Sequence, residues 1–190
     1  MRTALIIILL TLSITAPLFA QQEEERELIY TFVGPVAGFG YNMITYKDWF
    51  DDHQGEEKIN GFFFSGGGII AIFSQRFVGD FSVQFMYNTG GGLTVYHFYY
   101  ASTARYNFHI SELFIIAPGG GIFLETPPSN ENYGGSAGFI IPVGFYLNTS
   151  FDTKLFCDLS FRYGVFGLGE GSTRISFGIS FGFIFKVGRI

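Results

Sequence analysis

Along most of the chain, apolar side chains recur at every second position. The clearest run is the last, where Ile175, Phe177, Ile179, Phe181, Phe183, Phe185 and Val187 alternate with Arg174, Ser176, Gly178, Ser180, Gly182, Ile184 and Lys186. A period of two is that of a β-strand. One face of this strand is wholly apolar, and the other is small or polar with a cation at each end, a poor core for a soluble sandwich but a suitable lining for a membrane barrel. The same scheme appears in Leu155, Cys157, Leu159, Phe161, Tyr163 and Val165, set against Lys154, Phe156, Asp158, Ser160, Arg162 and Gly164. Phe139 to Leu147 gives a third strand, Phe81 to Tyr87 a fourth and Tyr96 to Phe108 a fifth.

Three further segments, Leu28 to Ile44, Gly61 to Phe73 and Glu112 to Leu124, carry apolar residues on both faces together with Gly, Pro35 and Pro118, and are placed by spacing. Turn-forming residues separate all of these segments at Lys47 to Asn60, Ser74 to Asp80, Gly90 to Gly92, His109 to Ser111, Glu125 to Tyr133, Thr149 to Thr153 and Leu168 to Ser172. Seven connections predict eight strands. They are long enough for the roughly 9 to 11 residues that cross a bilayer, and in lipid a sheet has to close because an open edge leaves backbone groups unpaired. The expected fold is therefore all-β, an eight-stranded antiparallel up-and-down transmembrane β-barrel over residues 28–190. With a periplasmic N-terminus, the longest connections face outward. Tyr41, Tyr46, Trp49, Phe50, Tyr96, Phe98, Tyr99 and Tyr100 then form an outer aromatic girdle, and Tyr30, Tyr106 and Phe108 an inner one.

Composition agrees with a membrane setting. Only 14 % of the 190 residues are charged, 48 % are hydrophobic, and Gly and Phe number 26 and 25; this excludes a disordered chain and one that binds nucleic acid. The single cysteine, Cys157, cannot form an intramolecular disulfide. Residues 1–20 read as a signal peptide: Arg2, an apolar run from Ala4 to Ile14, and Ala20 before the cut. Its removal leaves 10 Lys and Arg against 16 Asp and Glu. Residues 21–27 read as an acidic tail.

At this point the pattern resembles the small bacterial outer-membrane barrels that include the OmpA transmembrane domain, OmpX and the OmpW family. Ser180-Phe181-Gly182-Phe183-Ile184-Phe185-Lys186-Val187 is similar to the C-terminal signal of such barrels, with Ser180, Gly182, Phe185 and Val187 at its polar, glycine and apolar positions. The usual terminal Phe is absent, and Gly188, Arg189 and Ile190 trail beyond. The resemblance implies residence in the bacterial outer membrane and two partners, outer-membrane lipid and the barrel-assembly machinery.

The chemistry-bearing residues point away from catalysis. The glycine runs at Gly66 to Gly68, Gly90 to Gly92 and Gly119 to Gly121 lack the Lys-Ser or Lys-Thr of a phosphate loop. His53, His97 and His109 are too widely spaced for a metal site, so neither metal nor cofactor is expected. His109-Ile110-Ser111, with Glu112 or Glu125 as a carboxylate, resembles the pair used by barrel enzymes that deacylate lipopolysaccharide. In this topology, however, it falls on an inner turn, away from the outer leaflet.

An eight-stranded barrel is just wide enough for its own side chains. Gln84, His97, Arg105, Asp158, Arg162, Arg174 and Lys186 are therefore expected to satisfy one another in a polar network, with cations in excess. A two-residue hairpin at Gly90-Gly91 further predicts that Gln84 pairs with His97 and Phe85 with Tyr96. The functional expectation is a porin-like, non-enzymatic outer-membrane barrel with a structural or surface-interaction role toward an external ligand or host molecule. The alternatives are an OmpW-like narrow conduit for small hydrophobic molecules and a soluble lipid-binding barrel.

Overall fold

The computed structural model describes residues 28–47, 56–90, 93–126, 135–168 and 172–189. Residues 1–20, the acidic tail, Trp49, Phe50 and His53 lie outside them.

Nine strands follow one another in the described chain: β1 (Tyr30–Lys47), β2 (Glu56–Phe73), β3 (Phe77–Gly90), β4 (Leu93–Tyr106), β5 (Phe108–His109), β6 (Phe114–Glu125), β7 (Gly135–Asn148), β8 (Thr153–Leu168) and β9 (Ser172–Arg189). The two-residue β5 is a continuation of β4. Both pair with β6 in one unbroken register, Arg105 opposite Gly119 and Phe108 opposite Ile116. The strand breaks at Asn107, whose amide donates to the Arg76 carbonyl at 2.7 Å and whose side chain donates to the Ser74 carbonyl at 3.2 Å. The barrel therefore has eight staves, each antiparallel to both neighbours. It closes through the β1–β9 and β4–β6 pairs.

Alternation places the side chains. Phe177, Phe181, Phe183, Phe185 and Val187 are exposed on the outer surface, while Arg174, Ser176, Gly178, Ser180 and Ile184 of the same strand are buried. Phe85, Phe98, Phe139, Ile141, Leu155 and Leu159 also face outward and are exposed. A surface this apolar is stable in lipid and not in water.

At the end holding Tyr30 and Arg189, three short connections join the strands, at 74–76, 110–113 and 149–152. At the opposite end, the segments between strands, 48–55, 91–92, 127–134 and 169–171, lie outside the described residues.

Three sequence expectations are corrected. First, the connection expected over Ser74 to Asp80 ends at Arg76, so Asp80 lies inside β3 and points into the barrel, 7 % exposed. The ladder to β2 continues through Ala71 opposite Asp80, and this pairing outweighs the turn character of Gly79-Asp80.

Second, the β3–β4 register is displaced. Gly90 pairs with Leu93, Met86 with His97, Gln84 with Tyr99 and Phe85 with Phe98. Three successive glycines offer the hairpin two positions, and Gly90 is held in the ladder opposite Gly61 of β2. A Cβ on Gly90 would collide with the Asn60 carbonyl oxygen, so only glycine permits this approach. Moving the two-residue loop one position along the chain keeps every side chain on its face but changes its partner. Gln84 and His97 share the interior without pairing.

Third, Tyr99 is 1 % exposed and lies inside the barrel, on the face of His97, rather than in an aromatic girdle.

Candidate functional site

The interior is stacked in layers along the barrel axis. Nearest the short connections lies an apolar plug containing Phe32, Phe73, Val78, Ile115, Tyr146, Phe156 and Ile184. Its rings meet edge to face, Phe32 with Phe73 at 5.3 Å and Phe73 with Tyr146 at 5.0 Å between centroids. Lys154 extends along the interior of β8, and its Nζ lies over the Phe32 and Phe73 rings at 5.3 and 5.2 Å.

Beside this plug, Arg105 is held between two carboxylates. Its Nη1 and Nη2 donate to Asp158 Oδ1 and Oδ2 at 2.6 and 2.9 Å, and Nη2 also reaches Asp80 Oδ2 at 2.9 Å. Nε donates to Thr103 Oγ1 at 3.0 Å, and Nη1 donates to Tyr146 Oη at 3.0 Å. Thr103 Oγ1 in turn donates to Asp80 Oδ2 at 2.6 Å. Every nitrogen of the guanidinium is engaged, which is how a buried Arg is retained.

Gln84 belongs to a small polar belt, accepting from Ser65 Oγ at 2.7 Å and donating to Ser82 Oγ at 3.5 Å. Beyond it comes a second apolar layer of Phe63, Met86, Tyr99, Ala101, Phe123 and Ile140. Arg162 is set into this layer, its guanidinium 4.3 Å from the Tyr99 ring centroid and 4.9 Å from that of Phe63.

The layer toward the far end is polar again. Arg174 donates from Nη2 to Asn88 Oδ1 at 3.0 Å and from Nε to Asn42 Oδ1 at 3.3 Å; its Nη1 lies 3.2 Å from His97 Nε2 and forms an ion pair with Glu125. Ser136 Oγ donates to the same Glu125 carboxylate at 3.0 Å.

Of the seven interior polar residues singled out in the sequence, the structure brings Arg105 together with Asp158, and Arg174 together with His97. Gln84 and Arg162 lie between these pairs. Lys186 lies at the near rim, its Nζ 3.6 Å from Asp152 and over the rings of Tyr30 and Phe151. Sequence reading missed Asp80 and Glu125, both assigned to connections. With them included, Arg105, Arg162 and Arg174 face Asp80, Glu125 and Asp158. Those three guanidiniums match the three carboxylates in number, and Lys154 against the plug keeps interior cations in excess.

The proposed assembly-signal residues divide between the faces: Ser180 is buried inside and Gly182 half-buried, while Phe185 and Val187 are exposed on the outside. His109 Nε2 lies 2.8 Å from the Gln75 carbonyl, and Ser111 Oγ accepts from the Phe114 amide at 3.1 Å. Both side chains thus tie neighbouring turns. Glu125 lies inside the barrel with Arg174, away from them.

No sequence-family model matches the chain, and no curated protein matches it. Solved structures do. Neisserial surface protein A aligns with a TM-score of 0.57 at 13 % identity, covering 83 % of this chain and 97 % of that one. The outer membrane protein OprG from Pseudomonas aeruginosa aligns with a TM-score of 0.54 at 11 % identity, covering 83 % and 96 %. At such identities the likeness is one of fold, and the chain has the fold of the small eight-stranded barrels of bacterial outer membranes.

Proposed function

We propose that this chain is an outer-membrane protein, exported by residues 1–20, whose barrel is a closed scaffold presenting its far-end connections to the surroundings. The observation that carries this reading is the filled interior. Among the described residues, two apolar layers and two ionic ones cross the barrel, and the cavity lined by Arg162, Asp80 and Asp158 has a volume of about 30 Å³, room for one or two waters and not for a solute.

The parts left to act on other molecules are the lipid-facing surface and the connections at 48–55, 127–134 and 169–171. These carry Asp48, Asp51, Asp52, Glu131 and Glu170 without a Lys or Arg, and a cationic region of an external or host molecule is the partner that such segments fit. Catalysis is not part of this reading, since His109 and Ser111 are engaged in turns.

The apolar outer surface argues against a soluble lipid-binding barrel, which would turn its apolar faces inward. The conduit reading draws support from Pro35, which lacks the N–H of a ladder hydrogen bond and lies where the β1–β9 pairing passes from Val33–Phe185 to Val36–Gly182. Planar-bilayer recording with the purified mature protein separates the two. The closed scaffold gives no steady conductance and no uptake of small apolar solutes by reconstituted vesicles. Either activity overturns it in favour of the conduit. A tag inserted in 127–134 and labelled on intact cells tests the exposure of the far end.

A further inference from the structure

Between the two ionic layers, one guanidinium has no counter-charge beside it. Arg162 is 1 % exposed and forms no ion pair among the described residues. It lies over the rings of Phe63 and Tyr99, its Nη1 lies 3.7 Å from Met86 Sδ, and its Nε, though buried, has no hydrogen-bond partner. Ring faces and a thioether are weak substitutes for the hydration that a buried guanidinium loses. The neighbouring ionic layer has the opposite surplus, because Arg105 alone answers both Asp80 and Asp158. Arg174 and Glu125 balance one to one. Arg162 and the two ionic layers are therefore neutral taken together, with one surplus positive charge on Arg162 and one surplus negative charge shared by Asp80 and Asp158; Lys154 lies apart from them, over the Phe32 and Phe73 rings of the plug.

The cavity lies between these two surpluses. Arg162, Asp80 and Asp158 all line it, together with Ser82, Ser160 and Ser180. We propose that this cavity is a water-binding site, and that one or two waters held there join Arg162 to the surplus carboxylate in a water-mediated ion pair. The site meets what buried water requires, more than about 10 to 15 Å³ and two to four polar partners. Two carboxylates in its wall disfavour an anion, and two guanidiniums disfavour a metal cation. The two ionic layers, separate in direct contacts, then act as one electrostatic unit across the cavity.

The test compares the full-length barrel refolded in lipid vesicles with Arg162→Met, Asp80→Asn and the double variant, reading the urea midpoint from heat-modifiable gel mobility. Arg162→Met strands a negative charge and Asp80→Asn a positive one, so each single change lowers the midpoint. The double change restores neutrality, and its midpoint lies above that of either single variant. Additive losses overturn the proposal, as does an Asp80→Asn barrel as stable as the parent. In the unsubstituted protein, the Arg162 Nε–H resonance is expected to show a cross-peak to long-lived water. Contact with the Phe63 and Tyr99 rings alone overturns the site, and a resonance that moves with chloride concentration replaces the water with an anion. These results are independent of conductance, so the failure of the closed-scaffold reading and of this one can be told apart.

Discussion

Arg105 and Asp158 face each other across the barrel through two parallel contacts, Nη1 to Oδ1 at 2.6 Å and Nη2 to Oδ2 at 2.9 Å. The geometry is the two-pronged match of a guanidinium with a carboxylate. It links β4 to β8, which are not neighbours in the sheet, so it braces the wall across its width. Asp80 adds a third strand to the brace.

Arg105→Met is expected to cost about 3 to 5 kcal/mol, because it leaves Asp80 and Asp158 buried together without their cation. Arg105→Lys keeps the charge but loses the two-pronged contact and the donation to Thr103, and should fall between the parent and Arg105→Met. Equilibrium urea unfolding in lipid vesicles measures both. A Met variant as stable as the parent would show that the brace adds nothing.

Sequence alternation predicted the faces of β3, β4, β7, β8 and β9 because a bilayer imposes one uniform demand on every outward position. Phe177, Phe181 and Phe185 answer that demand regardless of their neighbours. The interior imposes no such uniform demand. Asp80 follows Gly79 and Glu125 precedes Thr126-Pro127-Pro128, local contexts that read as turns, and only their partners Arg105 and Arg174, from other strands, reveal them as interior residues. The placement of Tyr99 has the same lesson: in a run of four aromatics its parity with His97 counts for more than its residue type.

Phe181→Arg and Leu159→Arg place a cation on the lipid face, where both parent side chains are exposed, 49 % and 44 %. Each should cost about 2 to 4 kcal/mol if it lies near the bilayer midplane, and less toward either interface. Ser180→Arg, one residue from Phe181, points instead into the cavity beside Asp158, its partner on β8. Its cost arises from crowding and charge inside the barrel and should be relieved when Arg162→Met is added. Equal effects of that second change on Phe181→Arg and Ser180→Arg would contradict the assignment of faces.

The combined change Phe185→Asn and Val187→Asn alters two outward side chains while leaving the β9 backbone in its ladder with β1. If Ser180 to Val187 is the segment read during assembly, this variant should accumulate in the periplasm as a protease-sensitive chain, although the purified protein still refolds in detergent to a heat-modifiable band. Normal assembly in cells would remove the signal from this segment. Failure in detergent as well would assign the defect to stability.

The β3–β4 register gives the sharpest geometric test, because the glycine run at Gly90 to Gly92 permits two pairings that put the same side chains on the same faces. In the structure Phe85 is directly opposite Phe98, while Tyr96 lies one pair away on the diagonal, its ring stacked on Phe85 at 5.8 Å. Directly opposed residues of antiparallel strands have Cα atoms about 4.5 to 5.5 Å apart, within disulfide range, whereas diagonal neighbours at roughly 7 to 8 Å exceed it. With Cys157 replaced by Ser, the pair Phe85→Cys and Phe98→Cys should therefore oxidise readily, and Phe85→Cys with Tyr96→Cys should not. Met86 lies between the two cysteines in either variant. Cyanogen bromide cleavage after Met86 will therefore leave fragments joined only where a disulfide has formed, and reduction will separate them. The opposite outcome, with the Tyr96 variant bridged and the Phe98 variant open, would move the hairpin loop back to Gly90-Gly91, set His97 opposite Gln84 and separate it from Asn88 and Arg174.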